Sequence, residues 1–239
     1  MKQIFFILIF CLLFLSACTN EQVNSTNNNS ASEESSNNSS NEPTNGELID
    51  QNEGIQETIE DDVDYSKFFM PEGSTAYFLG EGNEFATFTV KTKWLSDRYV
   101  ALVEDNGGAA ILKIYRVMDE DDKVEKVYDQ VIEEFPNDVT YPTVDELNKM
   151  PLIEPYLNGP LEVGTVIGDW KIVQVDTTLS TPYKSFEHVI VLEEISEDFT
   201  NRKYFAIGFG EVKRESIMQV EGEDPFVVTS TLEKIETKP

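Results

Sequence analysis

The residues of this sequence with the clearest capacity for chemistry stand near its beginning. Both cysteines, Cys11 and Cys18, lie within the first eighteen residues. The rest of the chain therefore cannot form disulfides, thiolate metal sites or a thiol nucleophile. Cys18 follows Leu15, Ser16 and Ala17. Small residues at such a position let a peptidase hold the extended backbone, and the cysteine supplies a thiol that can be acylated.

The segment before Cys18 has the composition of an export signal. Lys2 supplies a positive charge, and an almost unbroken apolar run covers residues 4–15. This run is shorter than the roughly 20 residues that a membrane-spanning helix needs, but it suits the core of a signal peptide. Residues 15–18 resemble the lipobox of bacterial lipoproteins. The resemblance implies removal of residues 1–17 and a diacylglyceryl thioether on Cys18. An ordinary signal peptide or an uncleaved anchor are the alternatives.

Beyond Cys18 the sequence lacks the motifs that usually carry catalysis. His188 is the single histidine, and its alternation with Phe186 and Ile190 predicts a half-buried packing residue. There is no Gly-x-Ser-x-Gly elbow, no Gly-rich phosphate loop ending in Lys and Ser or Thr, and no Cys/His metal cluster. We therefore predict a non-enzymatic protein with no catalytic residue and no cofactor. A wall-active hydrolase with paired carboxylates stays open as an alternative, because acidic groups are abundant.

The charge balance of the chain narrows the range of partners. Acidic residues number 45 and basic residues 18, which gives a formal net charge of −27. This excess opposes binding to nucleic acid and to anionic lipid headgroups, because both need Lys and Arg. The acidic run at 119–122 makes Asp119, Asp121 and Asp122 candidates for holding a hard cation such as calcium. The simpler explanation is a solvated turn, and an acidic cation-binding envelope protein is kept as a second alternative.

Composition divides the chain into a tether and a folded part. Residues 18–64 are rich in Asn, Ser and Glu and contain no Lys or Arg, so we predict a disordered tether. From residue 65 onwards, β-forming runs alternate with turn signals, of which residues 105–108 are the strongest. The spacing predicts a mainly β fold of antiparallel curved sheets in two closely packed subdomains, 65–150 and 151–239.

Two further patterns refine the predicted fold. Thr143 and Glu146 have the spacing of a capping box, which predicts a short helix over residues 144–150. The prolines at 151, 155 and 160 predict an irregular connector between the subdomains. A long second strand is expected to begin at Phe85 and to end at Trp94, because β-forming residues fill this stretch.

Aromatic residues in the predicted strands suggest where a ligand would bind. The chain has 15 Phe, nine Tyr and two Trp. A two-layer core is the simplest interpretation, but periodicity alone does not distinguish a closed core from an open apolar groove. A groove would offer a hydrophobic ligand an aromatic surface. The candidate ligand-facing residues are Phe85, Phe88, Trp94, Tyr99 and Tyr115.

Three stretches resemble bacterial envelope lipoproteins. Residues 181–186 form a turn that leads into apolar residues 189–191, and residues 204–215 combine an aromatic-Gly-x-Gly hairpin with a charged strand. Residues 77–115 are similar to poorly characterised lipoproteins of Bacillus-type bacteria. The resemblance implies a curved antiparallel sheet, as in envelope carrier proteins, and it brings no catalytic residues. Gly208 and Gly210 themselves predict a tight turn or bulge with positive φ.

These observations predict a non-catalytic binding or interaction module of the cell envelope. We expect it to be held by a lipid on Cys18 at the extracytoplasmic face of the cell membrane of a Gram-positive-type bacterium. Its partner would be an envelope protein or a hydrophobic ligand, and the sequence leaves its oligomeric state open.

Overall fold

The computed structural model of the chain describes residues 63–132, 139–219 and 222–237. The predicted signal peptide, Cys18 and all but the last two residues of the predicted tether lie outside these ranges. No helix within the described ranges is both long and apolar enough to cross a membrane.

The fold is a meander of antiparallel strands. The strands are β1 (Ser74–Glu81), β2 (Phe88–Ser96), β3 (Tyr99–Asp105), β4 (Ala110–Met118), β5 (Lys123–Ile132), β6 (Glu154–Asn158), β7 (Val166–Ile167), β8 (Trp170–Ser180), β9 (Ser185–Ile195), β10 (Phe199–Ala206), β11 (Gly210–Met218) and β12 (Phe226–Thr237). They form one 12-stranded sheet in the order β6-β5-β4-β3-β2-β1-β12-β11-β10-β9-β8-β7. The predicted mainly β, antiparallel fold is therefore confirmed.

The sheet curves until it nearly closes. Its first and last strands pair with each other, β1 with β12, so the break in the sheet falls between β6 and β7. These two edge strands approach one another, and Leu157 of β6 lies in the same buried cluster as Ile167 of β7. Bulges in several strand pairs supply the bending that such closure needs. The sheet therefore encloses an interior.

One short helix covers part of the outer face. Helix α1 (Val144–Leu147) begins at Thr143, whose hydroxyl accepts a hydrogen bond from the Glu146 amide. The Glu146 carboxylate in turn accepts one from the Thr143 amide at 2.7 Å. The predicted capping box is thus confirmed, although the helix ends at Leu147. Leu147 is fully buried in a cluster with the outward residues of β3 and β4, such as Tyr99 and Ile114.

Two strand predictions were wrong. Strand β2 begins at Phe88, because Phe85 lies in the turn that precedes it and is exposed. The predicted proline connector contains strand β6, in which Pro155 is tolerated because β6 lies at an edge of the sheet. Strands from both predicted subdomains join in the one sheet, and the boundary between residues 150 and 151 stays a prediction.

Candidate functional site

A short chain segment fills part of the sheet interior. It begins with the 3-10 turn Tyr65–Phe68 and continues through Phe69 and Met70. The side chains of Phe68, Phe69 and Met70 are all buried, whereas the Pro71 that follows them is exposed. Aromatic rings surround Phe69, since its centroid lies 5.5 Å from that of Tyr115 and 5.8 Å from that of Tyr156.

The hairpin between β10 and β11 holds this segment in place. The Gly208 amide donates a hydrogen bond to the Lys67 carbonyl at 2.6 Å. Gly208 and Gly210 both have positive φ, as predicted. A Cβ at Gly210 would stand 2.5 Å from the Phe68 carbonyl oxygen. Glycine is therefore required at 210 both for its backbone conformation and for the close approach of the segment.

The segment and the strands leave a cavity of about 290 Å³ inside the sheet. This volume is at the lower end of the range for small-molecule sites, which is about 300–1,000 Å³. The apolar part of its walls includes Phe68, Phe78, Leu102, Trp170, Phe209 and Val228. Charged side chains also line it, and most of them are paired with one another.

Arg214 lies at the centre of the largest charge cluster. Its guanidinium donates two hydrogen bonds to Glu104 of β3, from Nη1 at 2.9 Å and from Nη2 at 3.1 Å. Its Nε donates to Glu211 of the same strand. The guanidinium also lies 4.3 Å from the centroid of Phe88. Because β3 and β11 are separated by three strands, these bonds connect distant parts of the sheet across its interior.

The electrostatics of this cluster keep Glu104 and Arg214 charged. Burial alone would raise the pKa of Glu104, but the Arg214 guanidinium and the Lys113 ammonium outweigh burial and lower it to about 2. Burial would lower the pKa of Arg214, and the carboxylates of Glu211 and Glu104 instead raise it. The Lys113 ammonium lies 3.1 Å from Glu104. The cluster is therefore a fixed network of opposite charges.

Lys126 is paired in a second cluster on the opposite wall. Its ammonium lies 2.9 Å from Glu154 of β6 and also contacts Asp129 of β5. Burial would lower the pKa of Lys126, but these two carboxylates raise it. Lys126 is therefore held as a paired cation.

Lys203 differs from the other cations of the cavity. Its ammonium lies 4.1 Å from the centroid of Trp170 and 6.0 Å from that of Tyr156. Within the described ranges it has no hydrogen bond and no carboxylate within 4.0 Å. Burial lowers the pKa of Lys203, and the attraction of the more distant Glu211 offsets this only in part. Lys203 thus presents a desolvated amine to the cavity.

Two tyrosines also belong to the polar part of the wall. Tyr115 and Tyr156 lie with their ring centroids 4.4 Å apart. Burial raises the pKa of both phenols well above the usual value, so they stay protonated at neutral pH. Their hydroxyls have no hydrogen-bond partner in the part of the chain that the structure describes, and both residues line the cavity. They can therefore donate hydrogen bonds to a bound molecule.

The five aromatic candidates from the sequence have different environments. Tyr115 lines the cavity directly. Phe88 stacks on the lining residue Phe78 at 4.4 Å, and Trp94 packs edge-on against Phe69 at 6.0 Å. Tyr99 faces the outer cluster under α1, where its hydroxyl donates to Asn148 at 3.0 Å. Phe85 is exposed in a turn.

The acidic run after β4 forms a 3-10 turn, Asp119–Asp121, on the surface. The Asp119 carboxylate accepts a hydrogen bond from the Tyr65 amide at 2.9 Å. Asp121 lies 3.8 Å from Lys123, and Asp122 has positive φ at the end of the turn. Across residues 63–132, 139–219 and 222–237, no three His, Cys, Asp or Glu side chains are grouped so as to hold a metal ion.

The environment of His188 differs from the sequence prediction. His188 is exposed rather than half-buried, because positive φ at this residue interrupts the alternation between Phe186 and Ile190. Its Nδ1 contacts the carboxylate of Asp176, which also has positive φ, on the neighbouring strand β8. The irregular register between β8 and β9 places both residues on the surface.

Sequence reasoning missed the charged and polar residues of the cavity. Glu104, Lys113, Lys203 and Arg214 each stand within a run of strand-forming residues, at positions that alternation gives to one face of the sheet. The alternation indicates that these residues share one face of the sheet. It does not show that this face lines the interior, because closure of the sheet depends on pairings such as β1 with β12.

Comparison with known proteins finds only distant similarities. No family model matches the chain, and neither does any curated protein. One similar solved structure is a Bacteroides fragilis protein, described as exported and as having a YmcC-like fold. It is 13% identical, has a TM-score of 0.42, and the match covers 71% of this chain and 98% of that one.

A second similar structure is a Parabacteroides distasonis protein that is described as a lipoprotein. It is 12% identical and has a TM-score of 0.34, and the match again covers 71% of this chain and 98% of that one. Neither match supports the predicted resemblance to Bacillus-type proteins. Similarities this low bear on neither function nor site residues.

Proposed function

We propose that this chain is a lipid-anchored extracytoplasmic protein whose sheet binds a small, partly apolar molecule without transforming it. The observation that carries the binding role is the interior cavity of about 290 Å³, whose wall combines apolar side chains with nine charged ones, most of them paired. In ligand sites apolar contact provides most of the affinity and placed polar groups fix the orientation.

The anchoring part of the proposal is supported by the residues around Cys18. A short apolar run, small residues and then a cysteine with a long polar segment behind it match the requirements of lipid modification. Two acyl chains on one cysteine hold a protein to a membrane much more firmly than one. The formal net charge of −27 agrees with this, because such a chain needs a covalent anchor near anionic lipid.

Localisation of full-length chain tests the anchor. The unmodified chain should be found in the membrane fraction, and Cys18→Ser should move it to the soluble fraction. Cys11→Ser is the matched control, because Cys11 lies inside the apolar run and should not affect attachment. Equal membrane attachment of all three chains would contradict the proposal.

The charge network supports a non-catalytic role over a carboxylate hydrolase. A glycoside hydrolase of that type needs one carboxylic acid that is protonated near neutral pH. The pKa of Glu104 is lowered to about 2, so this residue cannot serve as a proton donor. Glu211 and Glu154 are each engaged with a cation, Arg214 and Lys126 respectively.

A pair of neighbouring valines provides the test of cavity binding. Val228 lines the cavity, whereas Val227 faces outwards and is exposed. Binding of 1-decanol would be measured by calorimetry in full-length chain carrying Cys18→Ser, which lacks the lipid. Val228→Phe should weaken binding by about tenfold or more, because the larger side chain occupies cavity space. Val227→Phe should leave binding unchanged.

Two results would contradict cavity binding. The first is the absence of any heat with decanol and with the molecules that native mass spectrometry finds bound after purification from the cell envelope. The second is an equal loss of affinity in Val228→Phe and Val227→Phe, because that would place the bound molecule outside the sheet.

A further inference from the structure

The ammonium group of Lys203 is the feature of the cavity that the charge network does not explain. The other basic residues on the wall each lie within 4.0 Å of a carboxylate. Among the described residues, Lys203 instead contacts the faces of two aromatic rings, with its ammonium 4.1 Å from the Trp170 centroid and 6.0 Å from that of Tyr156. Contact with an aromatic face compensates a desolvated cation only in part.

The position of Lys203 makes an internal partner hard to reach. In the sheet Lys203 lies opposite Arg214 of β11, and Arg214 already engages both Glu211 and Glu104. On its other side the opposite residue is Leu192 of β9, which is buried and apolar. The neighbouring strands therefore provide no free carboxylate for this ammonium within the described part of the chain.

The rest of the local wall suits a molecule with one anionic end. Tyr115 and Tyr156 line the same cavity, and their hydroxyls have no hydrogen-bond partner among the described residues, so they can donate to an anionic oxygen. Phe68, Phe78 and Phe209 provide apolar surface for the remainder of the molecule. Because Glu211 and Glu154 also act on Lys203, a singly charged group is favoured over a doubly charged one.

We infer that the cavity binds an amphiphile with a singly charged anionic end group, such as a medium-chain carboxylate, through an ion pair with Lys203. This inference rests on the proposed binding function and adds the chemical class of the ligand. The anionic end lies between the Lys203 ammonium and the hydroxyls of Tyr115 and Tyr156, and the chain lies against the phenylalanines. The ligand thus provides a partner for the lysine of the wall that has no carboxylate within 4.0 Å in the described ranges.

A series of probes of equal chain length tests the inference. Decanoate, 1-decanol and decylammonium would be titrated into full-length Cys18→Ser chain at neutral pH and below their micellar concentrations. Decanoate should bind roughly 10- to 100-fold more tightly than decanol, because a hydrogen-bonded charge contributes that much. Decylammonium should bind most weakly, since Lys203 repels it.

Variants of two lysines test whether Lys203 causes the preference for decanoate over decanol. Lys203→Met should remove the preference for decanoate over decanol while leaving decanol binding in place, and Lys203→Arg should retain it. Lys213→Met is the matched control, because Lys213 also lies near an aromatic ring, 5.2 Å from the Tyr204 centroid, but does not line the cavity. It should leave the preference unchanged.

The possible failures are distinguishable from one another. Equal binding of decanoate and decanol, or a preference that survives in Lys203→Met, would overturn the inference and leave the binding function standing. No binding of any probe by a chain whose circular dichroism shows the native sheet would overturn both.

Discussion

Replacement of Arg214 by methionine should strongly destabilise the folded chain. The pH dependence of this loss of stability identifies its cause. Arg214 donates hydrogen bonds to Glu104 and Glu211, and both carboxylates line the interior cavity. Arg214→Met keeps the length of the side chain but leaves these carboxylates without the guanidinium. Removing one member of a buried ion pair typically costs about 3–5 kcal/mol of unfolding free energy.

The pKa of Glu104 gives an independent estimate of this cost. It falls from 4.5 to about 2 in the folded chain. Since one pKa unit corresponds to about 1.4 kcal/mol, ionised Glu104 contributes about 3 kcal/mol, part of which Lys113 supplies. The folded pKa is lower than the unfolded one. The contribution is therefore complete above the unfolded pKa and is lost as the pH falls towards the folded pKa.

Urea unfolding followed by circular dichroism measures both quantities in full-length Cys18→Ser chain. At pH 7 the Arg214→Met chain should be less stable than its parent by about 3 kcal/mol. At pH 3 this difference should shrink by about 2 kcal/mol, because unfolded Glu104 is then largely protonated. Arg98→Met is the control, since Arg98 is exposed and its loss should cost less than about 0.5 kcal/mol. A difference that is absent at pH 7, or the same at both pH values, would refute the reasoning.

Two further predictions concern backbone positions with positive φ. Gly210→Ala should lower the unfolding free energy by more than Gly107→Ala, because a Cβ at 210 meets the Phe68 carbonyl at 2.5 Å whereas one at 107 meets nothing. Gly107→Ala should cost only the strain of positive φ, about 1 kcal/mol, and equal losses would contradict the close approach. His188→Val should cost about 1–2 kcal/mol and His188→Gly much less, since positive φ strains a β-branched residue most. Thermal unfolding measures the stability of all four variants. A larger loss of stability in His188→Gly than in His188→Val would contradict this account.

Local features of the fold were predictable because local chemistry determines them. The turn at 105–108 joins β3 and β4 as expected, since Asn106 and Gly107 suit a tight connection. Thr143 and Glu146 form the expected capping box. The apolar character of residues 68–71 predicts their burial, which holds for 68–70 but not for Pro71. In each case the deciding contacts lie within a few residues of one another along the chain.

The parts that failed depend on distant contacts. Proline at 155 argued against a strand, because proline has no N–H group to donate to a neighbouring strand. The position of β6 at the sheet edge removes that requirement. His188 was assigned by strict alternation, which the bulge opposite Asp176 breaks. Lys203 and Arg214 could not be placed in a cavity, because periodicity does not reveal that β1 pairs with β12. Such pairings join residues more than a hundred positions apart.

The central claim is that the interior of the sheet takes up a small amphiphile, and Trp170 offers the most direct measurement. The chain has two tryptophans, so Trp94→Phe leaves Trp170, which lines the cavity, as the single fluorophore. The account predicts that 11-bromoundecanoate quenches Trp170 emission saturably and that decanoate reverses the quenching. Quenching that rises linearly without saturation, and that decanoate does not change, would contradict it.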